Sequence, residues 1–292
     1  MIKKSNSERL FDGLNVIGMI LLMAVTLYPF MHVVFASLSE PSRLVKHTGL
    51  LLYPLGFTLE GYKLVLSDPN VLTGYKNTLM YVVLGTGVNL VMTSIAAFTL
   101  SRRNFPINKI IFKFIVFTMF FGGGLIPNYL VVSTLGLRNS IFAIILPGAI
   151  STWNLIIMRN SFLSIPESFE ESAYMDGAGD LTVLLKIILP LSKAMLAVMT
   201  LFYGIGHWNS WFSAAIYLSD KSKYPLQLFL REILIINNTQ ELTADVSEMD
   251  RLGIDKIIQY ATIMVATLPI LLLYPFLQKH FTKGVLVGGI KG

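Results

Sequence analysis

Charged residues are scarce in this sequence of 292 residues: Asp, Glu, Lys and Arg together make up 14% of it, whereas 54% of its residues are hydrophobic. A soluble globular domain carries about 25% charged residues. The low charge content therefore excludes an ordinary soluble protein and indicates an integral membrane protein embedded in the lipid bilayer. The net charge of +6 is interpreted as a determinant of membrane orientation and headgroup contact, with no nucleic acid as a partner.

Three further absences exclude most kinds of catalytic site. The sequence has no cysteine, which excludes disulfides, thiolate nucleophiles and cysteine-based metal sites. It contains no G-x-x-x-x-G-K-[ST] loop, so the chain cannot hydrolyse ATP by that route. No glycine is followed two residues later by serine, the context in which an intramembrane serine protease usually places its nucleophile. The sequence therefore predicts a protein that is not an enzyme and has no catalytic residues, metal or cofactor of its own.

Long apolar segments are what the sequence has in abundance. Six of them lack Asp, Glu, Lys and Arg altogether, and each reaches the length of about 20 helical residues that a bilayer core requires. Because every backbone polar group must find a partner within the bilayer, each segment is predicted to be a transmembrane helix, and the fold to be all-α with six spans. The segments are 13–39, 77–101, 114–137, 139–158, 194–219 and 257–278.

These spans contain no Asp or Glu, and no internal repeat is evident. Ion-driven carriers commonly use intramembrane carboxylates and are built from repeats, so a secondary carrier is the less favoured interpretation. Two histidines, His32 and His207, lie within the spans without a carboxylate partner there. Each is predicted to be a neutral imidazole bonded to a carbonyl rather than a proton relay.

Basic residues in the short connections predict the orientation. Arg102 and Arg103 lie between the second and third spans with two lysines and no nearby acid, and further basic residues flank the first and last spans. With six spans all of these share one side, which the positive-inside rule makes cytoplasmic. The sequence thus predicts a single multi-pass domain over 1–292 in the cell membrane, with both termini cytoplasmic. The segments at about 40–76 and 220–256 are predicted to be extracytoplasmic, and Arg102 and Arg103 to act as topology determinants.

An acidic segment at about 159–193, on the cytoplasmic side, predicts a short helix, a turn and a longer helix. Pro166 suits the first turn of a helix, where its missing N–H costs nothing, and the glutamates that follow suit the positive end of the helix dipole. An apolar stripe that could dock into a groove is formed by Phe169, Ala173 and Tyr174. Gly177 and Gly179 permit a sharp turn, after which the second helix returns to the membrane.

The sequence here resembles a known family, the permease subunits of binding-protein-dependent ABC importers. Their cytoplasmic EAA loop reads Glu-Ala-Ala, two further residues, Asp-Gly-Ala, and then Ile-x-Leu-Pro. The residues that match at the family spacing are Glu171-Ser172-Ala173, Asp176-Gly177-Ala178 and Ile187-Ile188-Leu189-Pro190. Ser172 replaces the usual Ala, which is a change between small residues, and Ala194 stands where a second Pro is often found.

The resemblance extends over nearly the whole chain, and it is similar to the carbohydrate-importer branch of MalG type, in particular to LplC- and YtcP-like permeases. The stretches that suggest this branch are 121–127, 153–160, 206–212 and 274–279. The resemblance implies the type I ABC importer permease fold and the import of oligosaccharides. The alternative is an importer of the same type for a peptide or a polyol-like solute.

The resemblance also implies partners. A second homologous permease subunit forms the translocation path together with this chain, two ATP-binding subunits bind and hydrolyse the ATP, and an extracytoplasmic solute-binding protein delivers the oligosaccharide. Coupling to the ATPase is implied for the residues of the EAA loop. These residues are Glu170, Glu171, Ser172, Ala173, Asp176, Gly177 and Ala178.

Five side chains in the fourth and fifth spans are candidates for a substrate path. Sugars bind through CH faces stacked on aromatic rings and through hydrogen bonds from amides, and both kinds of group occur together here. The candidates are Trp153, Asn154, Trp208, Asn209 and Trp211. The alternative is that the tryptophans anchor at a membrane interface or pack against a neighbouring helix.

Three structural features are also predicted. The three glycines at 122–124 predict a non-helical break in the third span, which is tolerated only where it is buried or lines a cavity. Gly85 and Gly87 are predicted to permit close helix packing. Residues 224–234 predict an amphipathic helix near the outer surface, followed by a solvated loop at 241–250.

Overall fold

The computed structural model describes residues 5–102, 107–236 and 253–272. Over these ranges the chain is almost entirely helical, and extended pairing is limited to one isolated bridge between Ser39 and Phe57. The predicted all-α fold is confirmed. The loop predicted at 241–250 and the stretch 274–279 lie outside the described residues.

The described chain divides into two compact units. One comprises residues 5–69 with 230–236 and 253–268, and the other comprises residues 70–229 with 269–272. Apolar helices occur in both units. The single membrane domain predicted over the whole chain stays a prediction.

The first unit is centred on a long apolar helix. Its helices are α1 (Asn6–Ser37), α2 (Pro41–Lys46), α3 (Glu60–Ser67) and α14 (Gly253–Leu272). The start of α1 is capped by Glu8, whose Oε2 accepts the backbone N–H of Ser5 at 2.8 Å. A small core forms around Ala36, Leu44, Leu51 and Ile257. Gly61 allows α3 to approach α14, because a Cβ there would lie 2.9 Å from the carbonyl oxygen of Ile257.

His32, in α1, lies between two tyrosine hydroxyls. Its Nδ1 is 3.4 Å from the hydroxyl of Tyr28, and its Nε2 is 3.5 Å from the hydroxyl of Tyr260 in α14. The prediction that this histidine bonds to a carbonyl is therefore wrong. The packing of α14 against α1 brings a phenol to the ring, and the hydroxyls serve as its partners instead.

The second unit contains the remaining helices, starting from the 33-residue α4 (Pro69–Ser101). The helices that follow α4 are α5 (Asn108–Phe117), α6 (Leu125–Thr134), α7 (Ile141–Ile145), α8 (Thr152–Leu163), α9 (Ser168–Met175), α10 (Asp180–Leu191), α11 (Lys193–Trp208) and α12 (Phe212–Tyr217). A single 3₁₀ turn, Leu146–Gly148, extends α7. Helix α13 (Leu226–Ile236) begins in this unit.

Three helices among the described residues are long and apolar enough to cross a bilayer, namely α1, α4 and α14. Two bent pairs raise this number to five if each pair is one span. The first pair is α7 with α8, bent by 53°, and the second is α10 with α11, bent by 87°. The number of six spans stays a prediction.

The segment 114–137, predicted as one span, is interrupted. Helix α5 ends at Phe117 and α6 begins at Leu125, and the glycines at 122–124 between them are not helical. Gly124 has a φ of 85°, a conformation that side chains rarely adopt and that glycine adopts readily. The predicted break is confirmed, and the third predicted span is therefore not one continuous helix.

Two other predicted spans also differ from a single straight helix. The segment 139–158 bends after α7, where Pro147 lacks the N–H that would continue the helix. The segment 194–219 is interrupted at 209–211, between α11 and α12. Asn and Ser side chains compete with the backbone for hydrogen bonds, which favours a helix end at such a position.

A buried polar network supports the bend between α7 and α8. The amide nitrogen of Asn89, a fully buried residue of α4, donates to the carbonyl oxygens of Gly148 at 2.7 Å and Ala149 at 2.9 Å. The amide oxygen of Asn89 lies 2.6 Å from Nε2 of His207 in α11. Irregular backbone is tolerated in a bilayer only when its polar groups find partners, and Asn89 supplies them. The prediction that His207 bonds to a carbonyl is confirmed, the oxygen being that of a side-chain amide.

Tyr203 of α11 ties the same helices together one turn away from His207. Its hydroxyl lies 2.7 Å from Oγ1 of Thr93 in α4 and accepts the backbone N–H of Ser151 at 3.2 Å. The main hydrophobic core of the unit includes Tyr203 together with Phe162 and Ile188. This core is the base on which α9 and α10 rest.

Residues 222–226 are fastened to the first half of α4. The amide of Asn77 donates to the carbonyl oxygen of Tyr224 at 3.0 Å, and the hydroxyl of Tyr81 donates to that of Lys223 at 2.6 Å. Helix α13 follows directly, and its residues from 226 to 230 are buried or nearly so. The helix predicted at 224–234 is confirmed, with a start two residues later than predicted.

Candidate coupling site

Helix α9 is the short helix predicted in the acidic segment, and a local backbone motif ends it. Ala178 donates its N–H to the carbonyl of Ala173 at 2.9 Å, and Gly177 donates its own to Tyr174 at 3.0 Å. Gly177 has a φ of 80°. Together these features form a Schellman cap, in which the residue after the C-cap is left-handed and is usually glycine. The spacing Ala173, Asp176-Gly177-Ala178 therefore encodes a fixed turn between α9 and α10.

The start of α9 differs from the prediction by two residues. The helix begins at Ser168, with Glu167 as its N-cap, so Pro166 precedes the helix instead of lying in its first turn. The N–H groups of Phe169 and Glu170 bond to the carbonyls of Pro166 and Glu167, respectively, in a tight turn before the first α-helical bond. Glu170 and Glu171 still lie in the first turn, where the helix dipole favours acids.

The side chains of α9 divide into an outward and an inward group. Glu171, Ser172 and Asp176 are exposed, as are the two large apolar side chains Phe169 and Met175, which are 49% and 88% exposed. Ala173 and Ala178 pack against the main core of the unit, and this contact accompanies the Schellman cap. The predicted apolar stripe is thus split, with Phe169 facing outward and Ala173 inward.

Tyr174 links α9 to α10. Its hydroxyl donates to Oδ1 of Asp180, the first residue of α10, at 2.8 Å. Burial is the main cause that raises the pKa of Tyr174, and the hydrogen bond to Asp180 adds to it. The turn is therefore held by a side-chain bond as well as by its backbone.

Glu170 is buried, with 7% of its surface exposed, and pairs with Arg102 at the end of α4. A buried carboxylate needs a charged partner, because its removal from water is otherwise unfavourable. Burial lowers the pKa of Arg102, and neighbouring groups that include Asp180 and Glu167 oppose that shift. The sequence predicts only a topological role for Arg102. The signal that points to an internal partner is that Glu170 lies three residues before the inward Ala173, on the same face of the helix.

The end of α4 that carries Arg102 is itself held by two side chains, Asn108 and Arg159, for which the sequence predicts no role. The amide of Asn108 donates to the carbonyls of Leu100 at 2.7 Å and Arg102 at 2.8 Å. Nε of Arg159, in α8, donates to the same Leu100 carbonyl at 2.8 Å. The last carbonyls of a helix have no partner within the helix, and these side chains provide one.

A cavity of about 800 Å³ lies between α4, α8, α9 and α10. Apolar side chains such as Phe98 and Leu181 line it together with Arg102 and several acids. The acids are Glu167, Glu170, Glu171 and Asp180. The site is thus a short helix with a fixed turn, next to a largely apolar cavity that four acids and Arg102 border.

The five candidates for a substrate path lie in different surroundings. Trp153 is 62% exposed, and its neighbour Asn154 is buried. Trp208 is buried and meets the ring of Tyr75 edge-on, with 6.2 Å between ring centroids. This arrangement matches the alternative of packing against a neighbouring helix.

The other two candidates lie where α11 is interrupted. Asn209 is the exposed C-cap of α11. Trp211 is partly buried and packs against a core cluster that contains Tyr81 and Ile144. The roles of all five residues in a substrate path stay predictions.

Apolar helices with interruptions, together with a short acidic helix that ends in a capped turn, fit a membrane permease of the ABC importer type. Residues 89–287 match the family described as Binding-protein-dependent transport system inner membrane component, and the chain belongs to this family. It is accordingly a transport permease and not a catalytic subunit. Binding-protein-dependent transport implies ATPase and solute-binding partners.

Similar proteins align with nearly the whole chain. The chain is 42% identical to the polygalacturonan/rhamnogalacturonan transport system permease protein YtcP of Bacillus subtilis (strain 168), over 98% of this chain and 99% of YtcP. It is 39% identical to the protein LplC of the same organism, over 99% and 97% of the two chains. The crystal structure of a bacterial ABC transporter involved in the import of the acidic polysaccharide alginate contains a chain with the same fold. That chain aligns with a TM-score of 0.87 and 32% identity, over 96% of this chain and 100% of its own.

Proposed function

We propose that this chain is one of two homologous permease subunits of an ATP-driven importer of oligosaccharides. Two ATPase subunits bind on the cytoplasmic side and hydrolyse the ATP, and a solute-binding protein docks on the opposite side. Both termini are cytoplasmic, as the basic connections predict. The observation that supports this proposal best is α9, a short helix with a fixed Schellman turn whose motif resembles the EAA loop.

The structure suggests how the EAA residues share the work. Glu171, Ser172 and Asp176 are exposed, and with Phe169 and Met175 they form the surface offered to the ATPase. Aromatic side chains and methionine are enriched in protein interfaces, whereas they are unfavourable when exposed to water. The remaining EAA residues, Glu170, Ala173, Gly177 and Ala178, shape and seat the helix. Nucleotide-driven movement of the ATPase is thereby transmitted to the permease through α9 and its fixed turn.

The substrate class is proposed from the relatives. YtcP is named for polygalacturonan and rhamnogalacturonan, and the structural neighbour imports alginate. Polygalacturonan and alginate are both chains of uronic acids, which carry one carboxylate per sugar. We therefore expect oligosaccharides, with uronic-acid oligosaccharides as the first candidates. Trp153, which is exposed, is the strongest of the proposed path residues.

Purification of the assembled transporter tests this proposal. The chain is tagged at its amino terminus, purified in mild detergent from its own host, and the copurifying proteins are identified. An ATPase with a phosphate-binding loop and a second permease with an EAA motif are expected. Recovery of the chain alone, as a stable homo-oligomer that binds no ATPase, would contradict the proposal and favour a secondary carrier.

The substrate is then tested with the purified complex in lipid vesicles. Its ATPase activity is measured with the co-encoded binding protein and each of four solutes: oligogalacturonate, maltodextrin, arabino-oligosaccharide and a short peptide. Stimulation by a sugar supports the proposal, and stimulation by the peptide alone contradicts it.

Gly177→Asp is expected to insert and assemble normally but to lose uptake, whereas wild-type uptake by this variant contradicts the role of the turn.

A further inference from the structure

Helix α9 has a connection to the rest of the permease that does not run along the chain. Its neighbours in sequence are α8 and α10, which continue from its two ends. The ion pair between Glu170 and Arg102 also joins α9 to the end of α4. Helix α4 is the 33-residue apolar helix of the unit and is long enough to cross the bilayer.

The guanidinium of Arg102 is held by contacts within its own part of the chain as well as by its ion pair with Glu170. Its Nη2 donates to Oγ of Ser101 at 2.9 Å, and its Nε donates to the carbonyl oxygen of Phe98 at 3.2 Å. Its Cζ lies 4.4 Å from the centroid of the Phe98 ring, a cation–π contact. Nη1 remains to pair with Glu170. The planar fork of arginine allows one side chain to hold both the helix end and the acid, which a lysine cannot do.

The helix end that carries Arg102 is rigid. Asn108 and Arg159 bond to the carbonyl of Leu100, so the last turn of α4 is attached to α5 and α8. The Arg159 guanidinium also lies over the Phe112 ring at 4.3 Å. Movement of Glu170 is thus transmitted through the ion pair directly to Arg102 at the end of α4.

We propose that Arg102 is a positioning residue that links α9 to α4 through Glu170. This inference rests on the proposed function, since it concerns how α9 moves the membrane helices. When the ATPase shifts α9, the pair with Arg102 pulls the end of α4 in the same step, while α8 and α10 carry the remaining force. Without the pair, α9 still binds the ATPase through its exposed face but tilts independently of α4. ATP hydrolysis is then poorly converted into transport.

The first test measures coupling in the complete complex reconstituted in vesicles. Arg102→Met is expected to lower sugar uptake per ATP hydrolysed by about tenfold, a typical size for the coupling between two sites, because α9 is then no longer joined to the end of α4. Arg102→Lys keeps the charge but not the fork, so it should give an intermediate ratio. Lys109→Met, which removes an exposed positive charge nearby on α5, is the matched control and should behave as wild type. A wild-type ratio in Arg102→Met overturns the proposal.

The second test separates positioning from stability. The double variant Arg102→Met with Glu170→Met removes both charges, and such replacement of a buried pair by apolar groups is often neutral for stability. We expect its thermal midpoint to return to that of wild type while uptake per ATP remains low. Recovery of both quantities would show that the pair matters only for stability, and the proposal would then be wrong. If Arg102→Met does not assemble, the isosteric Glu170→Gln takes its place in both tests.

The third test observes α9 directly and uses the absence of cysteine from the chain. Spin labels are placed at Thr99→Cys in α4 and Ser168→Cys in α9, both exposed positions of the same unit. A narrow distribution of distances between the labels is expected with Arg102 present and a broad one with Arg102→Met. Equal widths overturn the proposal. If the ATPase binds and wild-type transport proceeds but Arg102 variants show no change, only this inference fails; if no ATPase binds wild type, the proposed function fails.

Discussion

Nε2 of His207 lies 2.6 Å from Oδ1 of Asn89, and the surroundings of Asn89 decide which of the two donates. The amide nitrogen of Asn89 already donates to the carbonyls of Gly148 and Ala149, so its oxygen is the group that faces the imidazole. An amide oxygen only accepts, and Nε2 of His207 therefore carries the proton. One asparagine thus satisfies the irregular backbone between α7 and α8 and orients a histidine on α11.

Replacement of Asn89 by Leu should destabilise the permease by at least about 3 kcal/mol. Two carbonyls of the bend and the imidazole N–H lose their partner, and each buried unsatisfied group costs about 1–3 kcal/mol. The thermal unfolding midpoint of the purified complex in mild detergent measures this effect. Asn128→Ala is the control, because Asn128 is exposed. An unchanged midpoint for Asn89→Leu would contradict the structural role of the network.

Gly85 and Gly87 form a matched pair on α4. A Cβ at Gly85 would lie 2.4 Å from Nε2 of His207, whereas a Cβ at Gly87 meets no atom within 4 Å. Gly85→Ala should therefore destabilise by about 1–3 kcal/mol through overpacking, and Gly87→Ala should be neutral or slightly stabilising, since Ala favours helix. Adding His207→Ala to Gly85→Ala relieves the clash, so the double variant should lose less stability than the two single effects added together. Simple additivity in the thermal midpoints would argue against direct contact.

Gly177 and Gly179 flank the turn between α9 and α10 and differ in backbone. Gly177 has a φ of 80°, and Gly179 has a φ of −85°, which any residue can adopt. Gly177→Ala should strain the Schellman cap by about 1 kcal/mol and lower uptake per ATP, whereas Gly179→Ala should leave both unchanged. The ratio of uptake to ATP hydrolysis in vesicles checks this prediction. Similar ratios for the two variants would mean that the left-handed turn is not required for coupling.

Trp153 and Trp208 should respond differently to truncation. Trp208 is buried against Tyr75, so Trp208→Ala should destabilise by about 3–5 kcal/mol, as is usual for a large core side chain. Trp153 is exposed, and Trp153→Ala should leave the thermal midpoint unchanged while lowering sugar uptake if its ring contacts the passing solute. Normal uptake by Trp153→Ala at several substrate concentrations would remove this residue from the proposed path.

The Gly177 turn shows how far a local pattern predicts structure. Every group of the Schellman cap lies within residues 173–178, since all of its bonds join residues at most five positions apart. The break at 122–124 was predicted for the same reason, because three consecutive glycines are unfavourable in a helix. The helix starting at Leu226 was also visible in the local pattern of apolar residues.

The partners of His32 and Glu170 show what a local pattern does not predict. His32 meets Tyr260, and Glu170 meets Arg102, in both cases on a helix that is distant in sequence. Both residues were assigned the wrong or an incomplete partner, because composition and spacing carry no information about which helices become neighbours. The bend at Pro147 was missed for a related reason, since its stability depends on Asn89 of another helix.

By itself the sequence determined that this is a helical membrane protein and that a short acidic helix ends in a glycine turn at Gly177. These properties follow from charge content, apolar length and contacts within about one helical turn, all of which are local. Tertiary structure alone decided that Glu170 is held by Arg102, that Asn89 supports the bend of α7 and α8, and that Trp208 is buried while Trp153 is not. Burial and pairing of polar groups depend on the packing of several helices at once. A buried charged or amide side chain needs a polar partner, and the fold decides which of the possible partners comes within reach.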